Sequence, residues 1–239
     1  RRRRPAARRM ITVPSAAPAD VPNPWFSWSY LQANADDLLL AGREHVLITI
    51  AAVALATAAA VPLALMVRRF PRLQVPVLAF SGLLYTIPSL ALIAGLWPWL
   101  GLSPWTVITA LALYALLVIL RNMIVGLDAV PADVVDAARG VGYTRSQLLW
   151  RVQVPMATPA IMAGIRIATV STIGLVTVGA LVGHGGFGSI ILGGFVNNFY
   201  HAQIMAGTIA VVVLALMLEG VLVLLERLLT PWMRGVRSS

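Results

Sequence analysis

The chain has 239 residues, of which 59% are hydrophobic and 11% are charged, whereas a soluble globular domain carries about 25% charged residues. This composition excludes a soluble enzyme and fits a helical protein with several membrane spans, because one span needs about 20 mostly apolar residues. All 18 basic residues are arginines, the net charge is +9, and the absence of cysteine excludes disulfides, thiolate metal sites and cysteine nucleophiles.

The first 45 residues are predicted to form a leader and a surface segment. Six of the arginines fall within residues 1–9, ahead of Met10, and this stretch is interpreted as an extension upstream of the native start rather than as a nucleic-acid site. Residues 11–24 contain four prolines, so residues 1–24 are predicted to be a flexible leader. Residues 25–45 mix aromatic and charged side chains, which predicts a helix at the membrane interface.

Five apolar runs follow, and each is long enough to cross a membrane. The predicted spans are Val46–Val67, Gln74–Leu96, Pro104–Leu127, Pro159–Val182 and Ala202–Leu228. A sixth stretch, Phe187–Val196, is short and rich in glycine and is predicted to be re-entrant or buried against other helices, although hydropathy alone does not exclude six spans. The predicted fold is therefore an all-α polytopic membrane domain over residues 46–231, followed by a tail at 232–239.

The arginines predict the orientation of these spans. Groups of three arginines lie between spans one and two, between spans three and four, and at and beyond the end of span five, whereas the connections between spans two and three and between spans four and five contain none. Because loops rich in arginine stay in the cytoplasm, the N-terminus is predicted to lie outside, and the C-terminus and the loop between spans three and four to lie inside.

That loop, residues 128–158, is the longest polar interruption and contains a spaced motif. It reads Asp136-Ala137-Ala138, three residues, Gly142, nine residues, and Val152-Gln153-Val154-Pro155. Pro131 fits the first turn of a short helix, and Gly140 and Gly142 permit a turn, including at positive φ. Thr144 and Gln147 form a capping-box pair that predicts a second helix to about Val154, where Pro155 and Pro159 are expected to break it.

The loop resembles the cytoplasmic "EAA" loop in the permease subunits of bacterial binding-protein-dependent ABC importers. The pattern of that family is Glu-Ala-Ala, three residues, Gly, nine residues, Ile-x-Leu-Pro, and the spacing here is the same, with Asp136, Val152 and Val154 as replacements. The resemblance implies a five-span, type I importer-like permease core whose loop docks in a cleft of an ATPase subunit. The residues that it assigns to ATPase coupling are Asp136, Ala137, Ala138, Arg139, Gly142 and Pro155.

Further stretches resemble permeases for glycine betaine, choline, carnitine and proline betaine. The stretches that carry this resemblance are residues 85–91, 121–127, 183–189 and 219–231. Within the first two of these stretches, the candidate residues of the translocation path are Tyr85, Thr86, Pro88, Ser89 and Asn122. Pro88 predicts a bend in the second span, and the hydroxyls of Thr86 and Ser89 face either the path or their own helix backbone.

One carboxylate, Glu219, falls within the fifth span, where an isolated charge is costly. Arg166 in the fourth span is its candidate partner, and the pair is interpreted as a structural or gating contact. The same role is assigned to the glycines between spans four and five, which are Gly183, Gly185, Gly186 and Gly188. His184 and His201 flank this loop, but two histidines without a third ligand do not predict a metal site.

The chain contains no phosphate-binding loop of the G-x-x-x-x-G-K-[ST] type, so it is interpreted as a transport subunit that binds no cofactor and is not an enzyme. The resemblance implies two ATPase subunits holding ATP and Mg, a second permease subunit that is identical or homologous, an extracytoplasmic binding protein and membrane lipid, but no nucleic acid, in the plasma membrane of a bacterium. Methionine, another amino acid or a sulfonate remains an alternative substrate. A secondary transporter, which would show inverted repeats or midplane ionisable residues, is a remote alternative, and no constellation of a membrane enzyme is present.

Overall fold

The computed structural model describes residues 23–232, and every regular element in this part of the chain is helical, as predicted. The helices are α1 (Trp28–Ala33), α2 (Ala35–Arg69), α3 (Gln74–Thr86), α4 (Ser89–Leu100), α5 (Pro104–Asp128), α6 (Ala132–Gly140), α7 (Arg145–Leu148), α8 (Val154–Val176), α9 (Phe187–Val196) and α10 (His201–Leu229). Short 3₁₀ helices lie at Pro71–Leu73 and Thr177–Val182. Nearly all of the predicted leader and tail lies outside the described residues.

Helix α5 is the centre of the bundle and packs between α2 and α8. Its side chains Leu111, Ile119 and Leu120 are fully buried. Helix α2 meets it with small residues at every fourth position, which line one face of a helix and let two backbones approach closely. These residues are Ala52, Ala56, Ala60 and Ala64, all at most 1% exposed.

The segment 25–45 differs from the prediction of one separate interfacial helix. Only α1 is separate, and its first turn is capped by the Ser27 hydroxyl, which accepts a hydrogen bond from the Tyr30 amide. The first span already begins at Ala35, and α2 continues without a break to Arg69. Asp36 and Asp37 lie in its first turn, where acidic side chains favour a helix N-terminus. The 35 residues of α2 extend about 52 Å, well beyond the roughly 30 Å of hydrocarbon.

The second span is broken at Pro88, where the sequence predicted a bend. Helices α3 and α4 meet at 98°, because Ile87, the residue before the proline, takes an extended conformation with ψ = 128°. The carbonyl of Ile87 is freed by the break and accepts a hydrogen bond from the Tyr114 hydroxyl of α5. The two halves therefore form either one broken span or a re-entrant segment.

The fourth span begins earlier than predicted, and the expectation that Pro155 and Pro159 break the preceding helix is wrong. Residues Arg145–Val182 form one continuous apolar helix of 38 residues. A wider π-turn at Leu149–Gln153 precedes Pro155, at the point where the proline ring would otherwise clash with the carbonyl four residues earlier.

Four helices of the described chain are long and apolar enough to cross a membrane, or five if α3 and α4 count as one span. Helix α9 has only ten residues and packs against α10, as predicted for this stretch. The contact is so close that a Cβ added at Gly194 would lie 2.5 Å from Ile204. The 128–158 loop defines one end of the bundle, here called the loop end, and the Gly183–Gly188 loop lies at the opposite end.

Candidate functional site

The 128–158 loop folds into the helix, turn and helix that its sequence predicts. Helix α6 follows Pro131 and ends in a turn at Gly142, which has φ = +88°, a conformation that suits glycine. The amides of Gly142 and Tyr143 donate to the carbonyls of Arg139 and Ala138, at 2.9 and 3.1 Å. Beyond the turn, α7 starts with the predicted capping box between Thr144 and Gln147.

Helix α6 presents one side to the protein and the other to its surroundings. Ala138 is buried, whereas Asp136, Ala137 and Arg139 are exposed. Asp136 and Arg139 form an ion pair of 3.2 Å on the exposed side, and such a surface pair contributes little to stability. Pro155 lies apart from this surface, in the first turn of α8. The arrangement leaves a small-residue face with one acidic and one basic side chain free to contact another protein.

The predicted path residues Tyr85, Thr86, Pro88 and Ser89 lie together at the break between α3 and α4. The Tyr85 ring is 44% exposed and contacts Tyr114 edge to face, with 5.5 Å between ring centroids. The Thr86 hydroxyl donates to the Leu83 carbonyl at 2.7 Å. Of the two predicted alternatives, it therefore bonds to the backbone of its own helix. The break thus displays an aromatic surface and a proline.

The structure does not bring Asn122 to this break. It lies eight residues beyond Tyr114 on α5, about 12 Å along the helix axis. Its side-chain amide donates to the Val118 carbonyl at 2.8 Å, and its Cβ is only 2.6 Å from the position of a Cβ on Gly164. These contacts make Asn122 part of the packing between α5 and α8.

Arg166 and Glu219 do form a pair, which joins α8 to α10. The Arg166 Nε donates to Glu219 Oε1 at 2.9 Å, and Nη2 contacts the same oxygen. Arg166 Nη1 also donates to Glu226 Oε2 at 2.8 Å, a partner that the sequence analysis missed. Glu226 lies seven residues after Glu219, two turns along the same face, and this spacing is the signal that could have found it.

The glycine loop at the opposite end closes against α2. Gly183 and Gly186 have φ of +85° and +51°. A Cβ on Gly186 would lie 2.6 Å from that of His45. A Cβ added at Gly185 would lie 2.3 Å from the Ala180 amide nitrogen, and one added at Gly188 would lie 2.4 Å from Thr177 Cα, both in the Thr177–Val182 helix. The glycines therefore allow a tight contact that larger residues would prevent.

Two polar residues of α2 hold this loop in place, and the sequence analysis assigned a role to neither. Glu44 accepts from the Gly186 amide at 3.1 Å and pairs with Nδ1 of His184 at 3.1 Å. The ring of His45 is fully buried, with Nε2 2.9 Å from the Ile173 carbonyl and Nδ1 3.3 Å from the Phe187 amide. A neutral ring with its proton on Nε2 satisfies both contacts, because one nitrogen then donates and the other accepts.

His201 lies in a separate contact, in which its ring stacks on Trp25 at 4.2 Å and its amide donates to Asn23. Within residues 23–232, no three histidine, aspartate or glutamate side chains are arranged to hold a metal ion.

Comparison with known proteins identifies the family. The family model described as binding-protein-dependent transport system inner membrane component matches residues 48–235. The carnitine transport permease protein OpuCB of Listeria monocytogenes is 38% identical over 212 residues, which cover 88% of this chain and 95% of that protein. The choline transport system permease protein OpuBB of Bacillus subtilis is 36% identical, covering 84% and 93%. The osmoprotectant import permease protein OsmW of Salmonella typhimurium is 37% identical, covering 87% and 98%.

Solved structures agree on the fold. An inward-facing structure of the MetNI methionine ABC transporter has a TM-score of 0.73 at 18% identity and covers 83% of this chain and 99% of its own. An amino acid ABC transporter solved with histidines has a TM-score of 0.69 at 16% identity, covering 84% and 98%. At such identities the likeness establishes the fold alone, and it confirms the predicted type I importer-like permease core. The chain is therefore a member of the binding-protein-dependent transport system inner membrane component family.

Proposed function

We propose that this chain is the membrane permease subunit of an ATP-driven importer for osmoprotectants of the quaternary ammonium class, such as glycine betaine, choline, carnitine and proline betaine. The observation that carries the proposal is the exposed face of α6, which is followed by the Gly142 turn and then by a helix that continues into the fourth span. The substrate class rests on the relatives named for carnitine, choline and osmoprotectants, which favour it over methionine or another amino acid.

In the proposed complex, two copies of an ATPase subunit dock on the α6 face of two permease subunits, which are identical or homologous. The ATPase subunits hold ATP and Mg, and this chain binds no cofactor. Nucleotide drives the change between outward-open and inward-open states because it binds the two states with different affinity. The arginines near the loop end support a cytoplasmic position for the 128–158 loop and the C-terminus in a bacterial cell, and in this proposal an extracytoplasmic binding protein delivers substrate from the other side.

The break between α3 and α4 is the proposed lining of the translocation path. An aromatic ring face attracts a quaternary ammonium ion, and the 44% exposed Tyr85 ring supplies one beside Pro88 and Ser89. Selectivity arises chiefly in the binding protein. Asn122 is assigned to helix packing rather than to the path, because its side chain is bonded within α5.

The ion network of Arg166, Glu219 and Glu226 is the proposed gating contact. It connects the span that continues from the loop to the last span, so a displacement of α8 relative to α10 must stretch or exchange these bonds. We propose the same role for the glycine loop at the opposite end, where hydrogen bonds with Glu44 and His45 of α2 hold the loop closed.

The test is uptake by the chain reconstituted in liposomes with its ATPase and binding protein. Gly142→Pro replaces φ = +88° by the fixed value of about −65° that proline requires. We expect it to abolish uptake and substrate-stimulated ATP hydrolysis while leaving membrane insertion intact. Gly140→Ala is the matched control, because Gly140 is helical and has nothing within 4 Å of an added Cβ. Normal uptake by Gly142→Pro would contradict the proposal.

The substrate is tested separately by calorimetry on the binding protein, with glycine betaine, choline, carnitine and methionine as ligands. Binding of at least one quaternary ammonium compound and not of methionine is expected. If methionine binds and the quaternary compounds do not, the substrate class is wrong, whereas the role of the loop is unaffected.

A further inference from the structure

A cavity of about 630 Å³ opens at the loop end, between the end of α2 and the α6–α7 turn. Four of its nine lining residues are arginines, and none of the nine is acidic. The lining residues are Leu65, Arg68, Arg69, Arg139, Tyr143, Arg145, Leu148, Leu149 and Gln153. Of these residues, only Arg139 belongs to the α6 face assigned above to ATPase coupling.

The charge in the cavity is not balanced by the neighbouring carboxylates. Asp136 pairs with Arg139 at 3.2 Å, and the charge of Asp128 acts on Arg68. Four arginines against these two carboxylates leave an excess of two positive charges. The cavity therefore attracts an anion.

Arg68 also has an unused hydrogen-bond donor. Its Nη1 atom is buried and lacks a hydrogen-bond partner, and a buried donor left unpaired costs free energy. Guanidinium groups bind phosphate oxygens through two parallel N–H···O bonds. Arg68 lines the cavity, and a phosphate group there would give Nη1 an acceptor once the side chain rotates to turn this buried atom towards the cavity.

The apolar part of the lining distinguishes a lipid from a free ion. Leu65, Leu148 and Leu149 stand beside the arginines, and Arg68 and Arg69 end an apolar span, at the level where lipid headgroups lie. Basic pockets between membrane helices bind phospholipid headgroups in this way. We propose that the cavity binds the phosphate of an anionic phospholipid, with the arginines on the phosphate and the leucines against the glycerol and acyl chains.

The experiment is a titration of the purified full chain with phosphatidylglycerol, followed by native mass spectrometry. An arginine that contacts the phosphate of an anionic lipid is expected to contribute about fivefold to the affinity. We expect about fivefold weaker binding for Arg145→Gln and about 25-fold weaker binding for Arg68→Gln/Arg145→Gln. Arg151→Gln is the matched control, because Arg151 is exposed on the adjoining π-turn and does not line the cavity. Arg68→Lys keeps the charge but loses the two parallel N–H donors, so it should bind more weakly than wild type.

Further measurements distinguish a phospholipid from other anions that could occupy the cavity. Equal binding by wild type and Arg145→Gln overturns the site. This variant is decisive by itself because Arg145 is exposed, so that its replacement should not disturb folding. Inorganic phosphate that binds as tightly as phosphatidylglycerol overturns the lipid assignment. Complete displacement of the lipid by the ATPase subunit would overturn it as well, because an acidic side chain of that partner would then be the occupant.

Discussion

Arg166 makes the sharpest test of the interactions inside the bundle, because it is hydrogen-bonded to two carboxylates of α10. The side chains of Arg166, Glu219 and Glu226 are 29%, 31% and 24% exposed. Removing one partner of a buried ion pair costs about 3–5 kcal/mol, and partial access to the surroundings lowers this to about 2–3 kcal/mol. For a chain of this size, Arg166→Gln should therefore lower the unfolding temperature by about 4–12 °C.

The order of the variants tests whether charge is the cause. Among the single variants of this network, Glu226→Gln should lower the unfolding temperature least. It leaves Arg166 paired with Glu219, and Glu219 keeps both of its contacts with the guanidinium group. The triple variant Arg166→Gln/Glu219→Gln/Glu226→Gln should recover much of the stability that Arg166→Gln loses, since no unpaired charge remains. Arg151→Gln, which removes an exposed arginine, is the matched control.

The assays are thermal unfolding in detergent and uptake in liposomes. A wild-type unfolding temperature for Arg166→Gln, or a triple variant as unstable as Arg166→Gln, would refute the charge argument. A stable triple variant that transports at the wild-type rate would refute the gating role and leave a structural one.

Three more predictions concern local structure. Gly186→Ala should destabilise the chain by more than Gly183→Ala in thermal unfolding, because both have positive φ but only a Cβ added at Gly186 would clash, at 2.6 Å from the His45 Cβ; equal effects would show that packing is irrelevant there. Tyr85→Leu should raise the KM for choline uptake, whereas Tyr85→Phe keeps the ring face and should not; similar KM values for both variants would remove Tyr85 from the path. Thr144→Ala should weaken α7 by about 1 kcal/mol, seen as faster hydrogen exchange there, and unchanged exchange would contradict the capping role.

Local signals in the sequence predicted most of the fold and part of the site. The apolar runs gave the spans, Pro88 gave the bend, and Thr144 with Gln147 gave the start of α7. The pairing of Arg166 with Glu219 was also foreseen, because a charge inside a span requires a partner. Each of these predictions depends either on a pattern among residues close together in the sequence or on the free energy cost of leaving a charged group unpaired within a span.

The parts that were missed depend on contacts between distant segments. Glu44 contacts a loop 140 residues away, and no spacing within the sequence reports such a contact. Pro155 was expected to end a helix, but a π-turn before it makes room for the ring. The close contact of Asn122 with Gly164 joins α5 to α8 across 42 residues of the chain, and no local pattern predicts it.

The absence of a break at Pro155 has a mechanical consequence. Beyond the π-turn, residues Val154–Val176 form one α-helical rod of 23 residues, about 34 Å long, so a tilt of one degree about one tip displaces the other tip by about 0.6 Å. The compliant points are the Gly142 turn ahead of the rod and the π-turn near its start. In the proposed complex, a displacement of the ATPase subunit therefore rotates this helix as a rigid body. The displacement at the opposite side of the bilayer then scales with the length of the helix.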